Sequence, residues 1–215
     1  MRYEHTNETY RGHSLKIIQD EDAQSPRYWG NIDVFLCGWH SREFWVPPPT
    51  MEVKGQRGDP RDWIRKFKAT HWTYPLEAYI HSGIVLALDS CGNFPDRRWD
   101  VSRNMGAVFL SKKCWKTRDS KKALAVAKSL VEEWNMYLSG DVWRYEVEHE
   151  PSEWEESCWG CYGSEYCEQE AKGAIDHHVT QLHRERIERV KSWVRNRVPL
   201  QVRWSVASEW DERVV

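Results

Sequence analysis

The stretch SKKALAVAKSLVEEWNMYLSGDVWRYEVE, residues 120–148, changes its hydrophobic period partway along. Ala123, Val126, Ala127, Leu130, Trp134, Tyr137 and Leu138 recur three and four residues apart, the spacing of one helical face. Asp119 or Ser120 is placed to cap the start of this helix and Gly140 to end it. Beyond Gly140 the period drops to two, with Trp143, Tyr145 and Val147 alternating against Val142, Arg144, Glu146 and Glu148. That alternation predicts a strand with two unlike faces.

Downstream, an acidic run leads into Ser157-Cys158-Trp159-Gly160-Cys161-Tyr162-Gly163, read as a turn that anchors the acidic strand to a following helix. The helix is predicted from Glu165 to about Arg197, with Ile175, Val179, Leu182, Val190 and Val194 apolar and Pro199 beyond its end. Val202–Val206 is read as a last strand. Upstream, strands are predicted at His13–Gln19, Ile32–Trp39, Leu76–Ser82, Ile84–Asp89 and Gly106–Ser111. Asp59-Pro60 supplies an N-cap and a first-turn proline for a short helix, Arg61–Ala69, that groups Trp63, Ile64 and Phe67. Between them lie a Pro47-Pro48-Pro49 spacer, a turn-rich connector over 55–58, and loops at Cys91–Pro95 and Asp100–Gly106. Strands first, then a helix, a strand and a long helix, predict an α+β fold. It has a mostly antiparallel sheet, two or three helices on one face and a long C-terminal helix. Residues 1–12 are read as a flexible N-terminus, 13–163 as the core domain, and 164–215 as a C-terminal helix and tail packed on it.

With 215 residues, a net charge of −2 and 30% charged side chains, the bulk composition excludes a general nucleic-acid binder and describes an ordinary soluble protein. No apolar window is long enough to span a membrane, and the polar start Met1-Arg2-Tyr3 carries no secretory signal. The six cysteines are therefore expected to be reduced, in a cytoplasmic setting. The 14 tryptophans are an excess that belongs at core edges or on a contact surface.

Three patterns are candidates for chemistry. Cys158-x2-Cys161-x5-Cys167, with His177 or His178, offers thiols and an imidazole to a zinc ion, although no second CxxC completes the set. The alternative is packing, with Cys158 and Trp159 as a buried anchor and Gly160 and Gly163 making the turn. A thioredoxin-like role lacks its βαβ unit. His40, His81 and Asp100, with Asp20, Asp22 and Asp89, sit at predicted strand ends and would suit a divalent metal or acid–base work if gathered. Local hydrogen bonding accounts for them equally. Charge is also split along the chain. Residues 146–170 hold nine Glu and no Lys or Arg, while 183–204 hold six Arg and one Lys against two Glu. The blocks can pair or be solvated faces, or Arg184, Arg189, Arg195 and Arg197 around Trp193 can dock on nucleic acid or an acidic protein. No G-x-G-x-x-G, P-loop or G-x-S-x-G occurs, which argues against nucleotide-fold and α/β-hydrolase enzymes.

Several segments together resemble a widespread family of small uncharacterised proteins of tailed phages and mobile elements. Ser25-Pro26-Arg27-Tyr28-Trp29-Gly30-Asn31 resembles its SPREWDN loop, Trp39-His40 its WH, and Tyr79-Ile80-His81-Ser82-Gly83-Ile84 its Y-x-H-x-G-I strand. The stretch from Trp99-Asp100 to Met105-Gly106 resembles WDSGQVG, Tyr137–Val142 resembles YLxGDV, and Ser157–Gly163 resembles SCWGFYG. The likeness spans roughly residues 13–175. Cys161 replaces the family's Phe, and Val101-Ser102-Arg103-Asn104 replaces Ser-Gly-Gln. The resemblance implies phage origin and an accessory role in the host cytoplasm. The expected function is a binding protein, not an enzyme, engaging a host or defence protein through Trp29, Trp39 and Trp99. The alternatives are a metal-assisted hydrolase of nucleotides or nucleic acid using His40, His81 and Asp100, and a nucleic-acid binder using the basic C-terminal helix.

Overall fold

The computed structural model describes residues 4–40, 44–49, 60–88, 94, 100–118, 121–199 and 202. The fold is α+β, and its strands divide into two antiparallel sheets. The middle of the chain builds the larger one from β3 (Val34–His40), β4 (Phe44–Val46), β5 (His71–Ile80), β6 (Ile84–Leu88) and β7 (Val101–Ser111), in the order β4-β3-β7-β5-β6. The two ends of the chain build the smaller one from β1 (Glu4–Tyr10), β2 (His13–Gln19), β8 (Val142–His149) and β9 (Trp154–Tyr162), in the order β1-β2-β8-β9.

The larger sheet is covered on both faces. Leu36, Leu76, Val108 and Leu110 face α2 (Lys121–Ser139), which contributes Ala123, Ala127, Leu130 and Trp134. Phe35, Cys37, Ala107 and Phe109 face the opposite way and meet Trp63 and Phe67 of α1 (Pro60–Lys68). This two-sided burial explains why β3 and β7 read as continuous apolar runs rather than alternations. The smaller sheet has one covered face. Leu15, Ile17, Trp143, Tyr145 and Val147 pack on Cys167, Ala171 and Ile175 of α3 (Ser164–Arg197).

The helix–strand boundary at Gly140 forms as its residues require. Gly140 takes a left-handed φ of 75°, its N–H reaches the Tyr137 carbonyl at 3.1 Å, and the Asp141 N–H reaches the Met136 carbonyl at 2.8 Å. These two bonds satisfy the orphan carbonyls of the last turn of α2. Gln19 Nε2 then donates to the Gly140 carbonyl at 2.8 Å and fixes this corner to β2.

Four features differ from the sequence reading. Glu4–Tyr10, expected to be flexible, is an edge strand, because β2 offers it an open row of backbone groups. Asp100–Gly106, expected as a loop, is almost wholly strand. A register shift opposite Leu76–Ala78, with Asn104 at φ 53°, absorbs its polar residues as a bulge. Ser157–Gly163 is the end of β9 rather than a turn, and a bulge around Gly160 (φ 73°) carries the strand past β8. Helix α3 packs on the core only as far as Val179, and no residue of the helix after His178 is fully buried. Asp59, Asp119, Ser120, the 55–58 connector, most of the Cys91–Pro95 loop and all of the expected last strand but Val202 lie outside the described residues. Among the described residues no helix is long and apolar enough to cross a membrane.

At the crossing of β3, β7 and β5, a Cβ on Gly106 would stand 2.5 Å from the Cys37 carbonyl oxygen and 3.0 Å from Leu76 Cδ1. A backbone atom cannot yield as a side-chain tip does. Gly106→Ala is expected to cost about 1–3 kcal/mol, the range for an overpacked core, measured by denaturant unfolding against the wild type.

Candidate functional site

Two segments that lie far apart in the chain meet where the sheets join. Ser25 accepts the Arg27 N–H at 3.4 Å and starts a 3-10 turn over Pro26–Trp29, which Gly30 ends at φ 69°. Asn31 Oδ1 then accepts the N–H groups of Asp33 (3.0 Å) and Val34 (3.1 Å), turning the chain into β3. This tight loop holds Trp29 outward. The Trp29 ring meets Tyr162 of β9 edge-on, with centroids 5.2 Å apart at 90°. The Tyr162 hydroxyl donates to the Gln24 carbonyl at 2.9 Å, and the Gly160 N–H donates to Asp20 Oδ2 at 3.1 Å. Within the loop, Asp20 Oδ1 accepts the Asp22 N–H at 3.2 Å.

The result is a groove of about 780 Å³ between the Asp20–Trp29 loop, α2, the end of β9 and the start of α3. Its carboxylates are Asp20, Asp22, Glu132 and Glu133, its rings are Trp29, Trp159, Tyr162 and Tyr166, and no basic side chain among the described residues lines it. Trp29, Ser129 and Glu133 also wall a second hollow of about 330 Å³ that continues toward β3. Trp29, Trp159 and Tyr166 are respectively 45%, 56% and 53% exposed, too much for residues whose role is core packing. Trp159 already has a cation against it, since the Arg144 guanidinium lies 4.1 Å from its ring centroid. Burial raises the Glu133 carboxyl above its ordinary value; the Ser129 hydroxyl partly offsets this and the neighbouring Glu132 adds to it. A carboxylate that pays desolvation and faces a second carboxylate gains from an incoming cation.

Of the other residues singled out in the sequence, His81 and Asp100 do come together, with Nδ1 and Oδ2 3.5 Å apart and the imidazole 69% exposed. A pair so open to water is weak. His40 ends β3, where its backbone pairs with Phe44 of β4. Asp89 and Trp99 lie outside the described residues. Trp39 is half-buried against the core beneath α1, and its indole N–H donates to the Asn104 carbonyl. Arg184, Arg189, Trp193, Arg195 and Arg197 are all exposed on the part of α3 that leaves the core.

Three of the predicted ligands do gather, since the Cys161 thiol lies within side-chain hydrogen-bonding reach of both Cys158 and Cys167. Cys161 and Cys167 are buried against the α3-facing side of β8, while Cys158 is exposed. Burial pushes the Cys161 thiol up to about 11 and raises that of Cys167 as well, so both stay protonated. His177 is exposed on α3, ten residues and about 15 Å further along the helix from Cys167.

The structure gathers a set that the sequence did not reveal. His13 from the start of β2, His149 from the end of β8 and His178 from α3 bring one ring nitrogen each to within 4.8 Å of one another. His13 Nε2 and His178 Nδ1 are 2.8 Å apart, and the His13 and His149 rings stack at 4.3 Å. Trp154 lies flat on His178, with centroids 4.1 Å apart at 8°. Burial lowers the pKa of His13, against the Arg11 carbonyl bond that raises it, with His149 lowering it further. Burial likewise lowers His178, reinforced by His13 and His149. No local spacing could have announced three histidines spread over 165 positions.

The chain matches no protein-family model, no curated protein and no solved structure.

The strain on Glu133 has a measurable sign. Its pKa is raised in the fold above the ordinary value of 4.5, so its contribution to stability is fully present below that pH and is lost as pH rises through the folded value. Glu133→Gln keeps the shape without the charge. It is expected to raise the melting temperature by a few degrees at pH 7, with the gain vanishing near pH 4.5, as measured by thermal unfolding across that range.

Proposed function

We infer that this chain is a phage-encoded accessory protein that works by binding. In this reading it acts in the host cytoplasm, where its groove takes a basic segment of a host or defence-system protein for counter-defence or host takeover. The observation that carries the reading is the groove itself, four carboxylates and four aromatic rings without a lining cation among the described residues. Carboxylates steer and hold arginine or lysine, and exposed aromatic faces receive the same cations or cover their alkyl stems. Large aromatics at a surface are the usual anchors of a protein interface. Two of the segments that carry the phage-family resemblance, Ser25–Asn31 and Ser157–Gly163, contribute Trp29 and Trp159, Gly160 and Tyr162 to the lining of this groove, which supports reading it as the working surface.

The test is affinity purification from infected host cells, followed by titration of the captured partner's basic segment. Trp29→Ala is expected to weaken binding about 30-fold, the effect of losing an anchor worth about 2 kcal/mol. Glu132→Lys, on an exposed helical position, is expected to weaken it further and to flatten its dependence on salt. Unchanged affinity in both variants would sink this reading.

A second reading rests on a different observation. The outer half of α3 presents Arg184, Arg189, Arg195 and Arg197 to solvent, with Arg189 and Arg197 on the same face as Trp193, which is 54% exposed. Four arginines on phosphates predict a slope of about −3 in log affinity against log salt for single-stranded nucleic acid. Retention that does not respond to salt, or is absent, rules this use of the helix out.

A further inference from the structure

We propose that His13, His149 and His178 form a binding site for one divalent transition-metal ion of the zinc class, separate from the groove. The set is built as a ligand site is built, with the outer nitrogens already engaged. His13 Nδ1 lies 3.0 Å from the Arg11 carbonyl oxygen, which only accepts, so this nitrogen carries the proton and Nε2 presents a lone pair. His149 Nδ1 lies 2.6 Å from Ser152 Oγ, which leaves its Nε2 for a ligand bond. Outer partners of this kind orient the imidazoles of known metal sites and fix their tautomers.

Distance and donor type agree. Tetrahedral zinc with Zn–N bonds of about 2.0–2.1 Å needs its nitrogens about 3.3 Å apart. His13 Nε2 and His178 Nδ1 stand at 2.8 Å and need to separate only slightly, with the His178 proton moved from Nδ1 to its Nε2 so that the ring stays neutral. Three neutral nitrogen donors suit zinc, copper or nickel and not magnesium or calcium. His13 and His178 are both buried, which disfavours the charged imidazolium that could not act as a ligand. His149 is only half-buried and is the opening by which an ion arrives. The exposed Glu156 and Glu185 lie within electrostatic reach of His178 and favour a cation there. Trp154 closes the site on the other side. Three protein ligands leave a fourth position for water or another small ligand.

The experiment uses the full chain stripped of metal and titrated with zinc by calorimetry, then with cobalt followed in the visible spectrum. The expected result is one equivalent of zinc bound at micromolar affinity or tighter, with a rise in melting temperature. The cobalt form is expected to show the d–d bands of a tetrahedral nitrogen site without a thiolate charge-transfer band. His149→Ala, at a half-buried position the fold tolerates, is expected to lose more than about 100-fold in affinity, and Ser152→Ala about 10–100-fold as an outer partner. Absence of micromolar zinc binding by the wild type would overturn the proposal. So would affinity unchanged in His149→Ala, or a thiolate band placing the ion on Cys158 and Cys161. None of these outcomes touches the groove, whose binding is read without metal.

Discussion

Pairing of β2 with β8 is the contact on which the remainder of this molecule depends. Ser14–Gln19 lie against Trp143–Glu148, across more than a hundred intervening residues. The whole larger sheet and α2 are formed within the loop that this ladder closes. Closing a loop of this length costs little more than closing a short one, since the entropy grows only with the logarithm of length. It does require the intervening structure to be in place or nearly so, which makes it a non-local and slow contact. Once formed, it creates the platform for α3. It sets the Asp20–Trp29 loop beside Tyr162 and puts His13 beside His149. The groove and the histidine cluster are therefore two ends of one ladder.

The tryptophans divide along the same line. Trp63, Trp134 and Trp143 are buried in three different core clusters, where they fill space between helix and sheet. Trp29 and Trp159 instead stand exposed around a set of acids. A fold that leaves large rings in water next to a desolvated carboxylate gives up stability at that place, and such local sacrifices belong to surfaces kept for a partner.

Sequence alone showed those elements whose partners are local. Helix α2, its glycine stop and the β8 alternation follow from period and capping, because a helix face and a half-buried strand announce themselves within twenty residues. The first half of β7 is polar enough to read as a loop, and only the neighbouring β5 makes it a strand. Strand β1 was similarly invisible, since its polar residues form an edge that exists only if β2 is already in place. Division into two sheets is a matter of pairing, which no single strand encodes. Within the groove, Trp29 and the Ser157–Gly163 segment were marked in advance, whereas Glu132 and Glu133 looked like the ordinary solvent face of a helix. Of the three histidines only His178 was marked, and with the cysteines rather than with His13 and His149, because their nearness is made entirely by β2, β8 and α3 meeting at one corner.

Helix α3 continues about 28 Å past His178, its last buried residue. A helical segment of this length in water is marginal by itself, because its first turn is costly to form. Here the docked turns from Ser164 to His178 serve as a permanent nucleus from which the outer turns need only propagate. The outer half then has a graded rather than a two-state existence, firmest beside the sheet and fraying toward its tip. Its helical reach is set by how rigidly one corner of the smaller sheet grips a single side chain.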